Sequence, residues 1–466
     1  MKRQKLTPSG FLYGLCFALC FFAFMLTEAF INERCAVILG STAVNPVYTF
    51  GLVCTGFGFL SFSLLRRLCK KEKSRKTAQT VIGILCIGAA MVLLFADQPE
   101  CFLVSSAAAL LLTGHISGCV YYNTAMYFTG SRYTGRMIGT GMGTAILLQF
   151  VVQNLILQSV IFIISILLSV AFVMYFIMKA PKGWILENPL PYSSDIKKDF
   201  KKALLLIVAV VLMSLVAGMI DSVLTAFNAE KSYDIYSGIR LFYALGLILA
   251  GFLADIRERK YLPLSAVCTI LLSSVCMFFL SDEISYFAGT ALMYLYSGFY
   301  VIFFTVMFLD FAPKSSRPEL WAGMGRIVRS FTVAATVLPA LNIYGAVGNT
   351  ALAVGSCLLS ILILLVLLPY LSNAAVSPKP TEDLPSDSPA LSPQERMKLY
   401  AQHCSLTPRE TEVLEQLLTT EDGVQEIADS LYISRRMVQR YISSIYEKTE
   451  TKTRLGLFQS YMNFIE

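Results

Sequence analysis

Charge is scarce in this chain of 466 residues: Asp, Glu, Lys and Arg make up 15% of it against 56% hydrophobic residues, and the mean hydropathy is +0.63. Soluble domains carry about 25% charged residues, so the scarcity excludes an ordinary soluble protein over most of the length. Histidine is nearly missing, with 2 residues, and the 12 cysteines form no CxxC pair and no cluster with histidine. That excludes a zinc motif, and cysteines scattered through apolar segments read as small buried side chains, not as disulfides. Nor is there a paired nucleophile and base, a metal cluster or a glycine-rich phosphate loop. The chain therefore reads as no enzyme, with no cofactor.

What the chain has in quantity is long apolar runs. A span of the hydrocarbon core needs about 20 apolar residues. Such runs recur near residues 11–31, 46–65, 78–96, 101–126, 137–154, 156–178, 203–225, 236–254, 261–280, 284–309, 321–341 and 347–371. They predict twelve transmembrane helices, the fifth and sixth being the hardest to separate. After the first run, Met25-Leu26-Thr27-Glu28-Ala29-Phe30 offers no A-x-A cleavage pattern, so that run reads as a retained helix and not a secretory signal.

Orientation follows from loop charge, because Lys and Arg accumulate on the cytoplasmic side. With the N-terminus inside, the cytoplasmic segments before the C-terminal region carry 23 Lys or Arg, whereas the external loops carry only Arg34 and Lys231. An even number of helices returns the C-terminus to the cytoplasm. The expected location is the cell membrane, multi-pass in the lipid bilayer, with both termini cytoplasmic.

The twelve runs divide into two sixes. Ser117-Gly118 recurs as Ser297-Gly298, and Gly141-Met142-Gly143 as Gly323-Met324-Gly325, at nearly the same offset, as a duplicated six-helix unit predicts. The segment Gly251-Phe252-Leu253-Ala254-Asp255-Ile256-Arg257-Glu258-Arg259-Lys260 resembles the G-x-L-A-D-R-x-G-R-K loop of the major facilitator superfamily. The resemblance implies an inner-gate clamp, with Asp255 close to a helix N-terminus and Arg259 among the basic residues that meet acidic partners or lipid phosphates. The equivalent loop of the first half, LLRRLCKKEKSRK, has lost the Gly and the Asp.

Ionisable groups inside membrane helices are costly, so each is a candidate site. Asp221 and Arg240 fall toward the outer ends of helices seven and eight, where they form an interhelical ion pair or face a ligand. Glu28 lies deeper than Glu33 and Arg34 in helix one. His115 is central in helix four, as a hydrogen-bonded core residue or a ligand contact, with Tyr121, Tyr122 and Asn123 further in. Tyr296 and Tyr300, four apart in helix ten, share a face. Helices one, four, seven and ten line the cavity in the superfamily that the loop resembles, which implies a common aromatic pocket for an organic molecule, an aromatic one included. Arg326 and Arg329 share a face of helix eleven. They hold an anionic ligand, snorkel to headgroups or pair with the gate acids, and snorkelling suits Arg326 better than Arg329.

Beyond Leu371 the composition changes. Residues 372–394, SNAAVSPKPTEDLPSDSPALSPQ, read as a flexible linker. Then Thr407-Pro408-Arg409-Glu410 makes a capping box, Val413, Leu414, Leu417 and Leu418 form one apolar face, and 424–430 reads as a short helix. Leu431-Tyr432-Ile433 turns the chain and Ser434 caps a helix running to about Glu447. That order is a helix-turn-helix, with Val438, Ile442 and Ile445 inward and Arg435, Arg436, Gln439, Arg440 and Ser443 outward, where they can reach base edges and phosphates. LTPRE-x-EVL, EIA-x-x-L-x-IS and V-x-x-x-I-x-x-IY-x-K-x-x-x-x-x-R resemble the DNA-binding domain of LuxR-type transcription regulators. The resemblance makes Lys448 a phosphate contact. Departures fall at Met437-Val438-Gln439-Arg440-Tyr441, in place of T-V-K-x-H, and at Lys448-Thr449-Glu450-Thr451, in place of K-L-G-V; they bear on phosphate contacts and on the packing of the last helix, through which the family dimerises.

The expected fold class is all-α: a polytopic twelve-helix bundle with a 6+6 repeat over 1–371, a linker over 372–398 and a soluble four-helix helix-turn-helix domain over 399–466. The expected function is a membrane-embedded one-component transcription regulator. Its transporter-like domain senses a small molecule, and its tail binds promoter double-stranded DNA as a homodimer. The alternative is a secondary transporter with a regulatory tail.

Overall fold

The computed structural model describes residues 8–69, 71–128, 131, 133–156, 159–179, 196–229, 238–256, 259–276, 283–375, 393–420, 422–449, 451 and 453–463. The chain divides into two compact units, residues 1–377 and 378–466. Among the described residues both are all-helical.

The first unit holds α1 (Pro8–Ile38), α2 (Val44–Leu68), α3 (Glu72–Phe95), α4 (Pro99–Tyr127), α5 (Thr134–Val151), α6 (Ser159–Lys179), α7 (Ile196–Ala229), α8 (Leu241–Ala254), α9 (Tyr261–Cys276), α10 (Glu283–Phe311), α11 (Met324–Val347) and α12 (Asn349–Ala375). Ten of the twelve are long and apolar enough to cross a membrane, while α8 and α9 are shorter apolar helices among the described residues. Helices suit these runs because, in hydrocarbon, every backbone N–H and C=O must be satisfied within the segment. A five-residue π-helical stretch, Val152–Ile156, follows α5 directly, which is why the fifth and sixth runs merge in the sequence.

Packing repeats between the halves. In the first, α4 packs on α2 and α3, and α1 on α5 and α6; in the second, α10 packs on α8 and α9, and α7 on α11 and α12. The halves meet where α5 packs on α8 and α2 on α11. Glycine permits the tightest of these approaches: a Cβ on Gly139 would stand 2.6 Å from the Leu247 carbonyl oxygen and 2.7 Å from the Gly251 Cα. The most apolar stretches of α1 and α10 are each 78% buried, against 28% for α3 and 33% for α12, so the former are central and the latter face lipid. Val81, Ile84, Leu85 and Val92 of α3 and Leu358, Ile361, Leu362 and Leu365 of α12 are correspondingly exposed.

The second unit contains α13 (Pro393–His403), α14 (Pro408–Thr419), α15 (Val424–Ser430), α16 (Arg435–Lys448) and α17 (Arg454–Asn463). That is one helix more than the sequence reading gave, because Met397 and Tyr400 of α13 complete a core with Val413, Leu414, Leu417, Ile427, Val438, Ile445 and Leu457. The linker expected over 372–398 is helical at both edges, since α12 runs to Ala375 and α13 starts at Pro393; the rest of it lies outside the described residues. Thr407 accepts from the Glu410 N–H while Glu410 accepts from the Thr407 N–H at 2.7 Å, so the capping box forms. Ser434 caps α16 through the Met437 N–H.

Candidate ligand and DNA-binding sites

A charged centre occupies the membrane unit. Asp221 of α7 accepts from the Tyr48 hydroxyl at 3.0 Å and from Arg329 Nη2 of α11 at 3.3 Å. The Arg329 Nε has no hydrogen-bond partner among the described residues. Glu28 of α1 lies in electrostatic range of Asp221, Arg329, Arg240 and Arg326. It also lines a small cavity with Asn32, Tyr48 and Thr55. One turn of α11 away, Arg326 is 6% exposed; its Nε donates to the Tyr121 hydroxyl at 3.0 Å and its guanidinium lies 5.1 Å from the Phe21 ring and 5.3 Å from that of Phe304. A buried guanidinium needs such hydrogen bonds and π faces to replace water.

Two expectations are corrected here, and of the two readings of His115 the contacts fit the core one. Asp221 pairs with Arg329 and not with Arg240, whose Nη2 instead donates to Gln149 Oε1 at 3.2 Å while Gln149 donates to the Met25 carbonyl at 3.1 Å. Arg326 does not snorkel, because Tyr121 and the aromatic rings hold it inside the bundle. His115 and Asn123 point away from this centre. Ser61 lies 2.8 Å from His115 Nδ1 and Gln79 3.3 Å from Nε2, so the ring bridges α2 and α3 as a hydrogen-bonded core residue. Asn123 lines a separate cavity with Arg66 and Arg75.

Tyr296 and Tyr300 do share a face, their rings stacked with centroids 5.7 Å apart. Both are fully buried and tied to α7, Tyr296 donating to the Met213 carbonyl at 3.0 Å and Tyr300 bonding to Ser214. Sequence reasoning missed Tyr48 and Gln149. A glutamine amid the apolar residues of α5 was a usable signal, since an unpaired amide there is costly, but nothing local marks Tyr48.

At the end of the bundle that carries the basic loops, Asp255 accepts from the backbone N–H groups of Gly135 and Arg136 at 2.8 Å each, at the N-terminus of α5. Arg259 pairs with Asp255 and, at 2.6 Å, with Asp310 of α10. Burial pushes the Asp255 carboxyl upward against the pull of these N–H groups and of Arg259. Asp255 and Arg259, in the segment after α8, thus join the N-terminus of α5 to the end of α10.

In the second unit α16 exposes Arg435, Arg436, Gln439, Arg440 and Ser443 while Val438 and Ile445 are buried. Lys448, expected as a phosphate contact, is exposed and pairs within the domain: its Nζ lies 2.7 Å from Glu410 Oε2, and Ser444 donates to the other Glu410 oxygen at 2.6 Å. Glu410, read from the sequence only as a capping residue, therefore ties α14 to α16. Arg454 at the start of α17 donates to the Leu417 carbonyl at 2.8 Å and the Asp422 carbonyl at 2.7 Å, fixing the last helix to the end of α14. Among the described residues no group of His, Cys, Asp and Glu could hold a metal ion.

A capped short helix, a tight turn and a second capped helix with an exposed basic face define a helix-turn-helix DNA-binding unit. Residues 404–460 match the family model of bacterial regulatory proteins, luxR family, so the second unit is a LuxR-type DNA-binding domain. The first unit resembles a membrane transporter of known structure in its fold. It is similar to the crystal structure of the human organic anion transporter MFSD10 (TETRAN), with a TM-score of 0.54 at 13% identity over 77% of this chain and 97% of that one. No curated protein sequence matches the chain.

Proposed function

We propose that this is a membrane-embedded one-component transcription regulator, in which the transporter-like unit binds a small organic molecule and biases DNA binding by the LuxR-type unit. The chain lies in the cell membrane with its basic loops and both termini in the cytoplasm, and the DNA-bound form is a homodimer, since two half-sites fix spacing and specificity. The observation that carries the reading is the Asp221–Arg329–Tyr48 centre on the same chain as a DNA-binding domain. Ionised groups in hydrocarbon mark ligand sites more often than stability devices. Arg329 Nε and Arg326 Nη2 are donors without acceptors among the described residues, and the rings of Phe21 and Phe304 lie beside the Arg326 guanidinium, which favours an aromatic organic anion. To switch the output from nearly off to nearly on, such a ligand must favour one state of the membrane unit by about 5 kcal/mol.

The test is a promoter reporter challenged with a panel of aromatic carboxylates. A response abolished by Asp221→Asn and by Arg329→Gln, with the protein still present in the membrane, supports the proposal; a response intact in both variants sinks it. A second reading, a working secondary transporter with a regulatory tail, is favoured by the assembled clamp of Asp255, Arg259 and Asp310. Concentrative uptake of a responding compound into vesicles would decide for that reading.

A further inference from the structure

Glu28 and Asn32 lie one turn apart on α1 and share a face. Both line a small cavity whose wall continues through Tyr48 and Thr55 of α2 and Leu110 of α4. Asn32 is 7% exposed, and neither it nor Glu28 makes a hydrogen bond or an ion pair among the described residues. Arg329, Arg240 and Arg326 attract Glu28 and Asp221 repels it, all at longer range than an ion pair. The three guanidinium groups bond elsewhere, to Asp221, Gln149 and Tyr121 respectively. Buried polar groups are ordinarily hydrogen-bonded, so a carboxylate and an amide left over at one cavity point to something that fills it. The wall offers acceptors above all. The Thr55 hydroxyl donates to the Gly51 carbonyl at 2.9 Å and the Tyr48 hydroxyl to Asp221, which leaves both with oxygen lone pairs. An ammonium group, with three donors and no acceptor, complements such a wall, and its charge answers Glu28. A lone cation does not suit the region, where Arg240, Arg326 and Arg329 outnumber Glu28 and Asp221. A ligand that brings a carboxylate along with its ammonium does.

We propose that the ligand of the membrane unit is an organic zwitterion, its ammonium held in this cavity by Glu28, Asn32 and Thr55 and its carboxylate beside Arg329. The Arg329 Nε is a donor without an acceptor among the described residues, and a carboxylate oxygen supplies one. Tyr48 joins the two ends of the site, since it lines the cavity and bonds to Asp221, the partner of Arg329. The inference rests on the ligand-sensing reading above and narrows its aromatic anion to a compound that carries an amine as well as an acid.

The experiment reads thermal unfolding of the full chain in detergent, titrated with phenylalanine and with para-(aminomethyl)benzoate, which space their two charges differently. Their deaminated counterparts, phenylpropanoate and para-methylbenzoate, are titrated beside them. At least one amino compound is expected to bind about tenfold or more tightly than its counterpart, since a charge-assisted contact is added. Glu28→Gln is expected to abolish that preference by weakening the amino compound alone, whereas a merely structural role for Glu28 would weaken both members of the pair. The variant keeps the shape of the side chain and removes a charge without a close partner, so it is expected to fold. Asn32→Leu, which leaves the Glu28 charge in place, should weaken the same amino compound. The inference is overturned if the deaminated acids bind as tightly as the amino compounds, if the preference persists in Glu28→Gln, or if none of these probes stabilises the protein. Its failure is distinguishable from that of the sensing reading: a reporter response to an aromatic carboxylate that needs Asp221 and Arg329 but shows no preference for the amine keeps the sensor and removes the zwitterion.

Discussion

Asp221 is the residue whose cost is easiest to state: a carboxylate inside an apolar bundle, held by one guanidinium and one phenol. Removing one partner strands the other, while removing both does not. Asp221→Asn and Arg329→Gln are each expected to destabilise the membrane unit by about 2–4 kcal/mol and the double variant by less than their sum, a coupling that thermal unfolding in detergent would read. Strict additivity would show that the pair does not interact. Glu410 makes the opposite case. Burial alone would raise its carboxyl, but Lys448, Ser444 and Thr407 overcome that and hold it at about 2, below its ordinary 4.5. A lowered folded-state value stabilises above the ordinary one and the benefit is lost as pH falls through the folded one, so protection of α14 and α16 should fade between about pH 5 and 2. Hydrogen exchange on the full chain measures it, and Glu410→Gln should remove most of that pH dependence while lowering protection at pH 7. Asp221 was legible from its type alone. Its partner was not, because pairing across helices depends on rotation about their axes, which one sequence leaves open; the tie of Lys448 to Glu410 escaped for the same reason.

The helices themselves were readable to within a few residues wherever a local rule set them. Thr407 and Ser434 announce their helices by capping, and the apolar runs announce theirs by length. What escaped was set by tertiary contact: α13 has little apolar character of its own and is fixed by Met397 and Tyr400 in a shared core. α16 carries the clearest prediction at this scale. Arg436→Ala and Arg440→Ala leave the buried face of the helix untouched. Each should weaken binding to a promoter fragment by about 1–3 kcal/mol; loss of a phosphate contact lowers the salt slope by about one, whereas loss of a base contact relaxes specificity instead. Fluorescence anisotropy at two salt concentrations separates the cases, and unchanged affinity in both variants would count against α16 as the reader. Between α5 and α8 the decisive element is a bare backbone. Gly139→Val should force the helices apart at Leu247 and Gly251 and lower the unfolding temperature, at a cost of about 1–3 kcal/mol, while the DNA-binding unit keeps its own stability.

At the scale of the whole molecule, the sequence between the two units is rich in prolines, serines and acidic residues through 376–392. At full extension that segment spans no more than about 60 Å. On the function proposed above, a LuxR-type domain on so short a tether would meet only DNA that comes to the bilayer, unlike a diffusing regulator that searches the nucleoid. The tether also raises the local concentration of the domain at any promoter already at the membrane, so occupancy should depend on linker length more weakly than on the α16 arginines. The expected outcome is that a fluorescently marked target promoter lies at the cell periphery when the full chain is present, leaves it in the Arg436→Ala, Arg440→Ala double variant, and keeps its peripheral position when the linker is doubled with Gly and Ser. Imaging the locus in those three strains measures it. A promoter that is regulated while distributed evenly through the cell would mean that the DNA-binding unit acts after release from the membrane, and proteolytic fragments of the C-terminal unit should then be detectable in the soluble fraction.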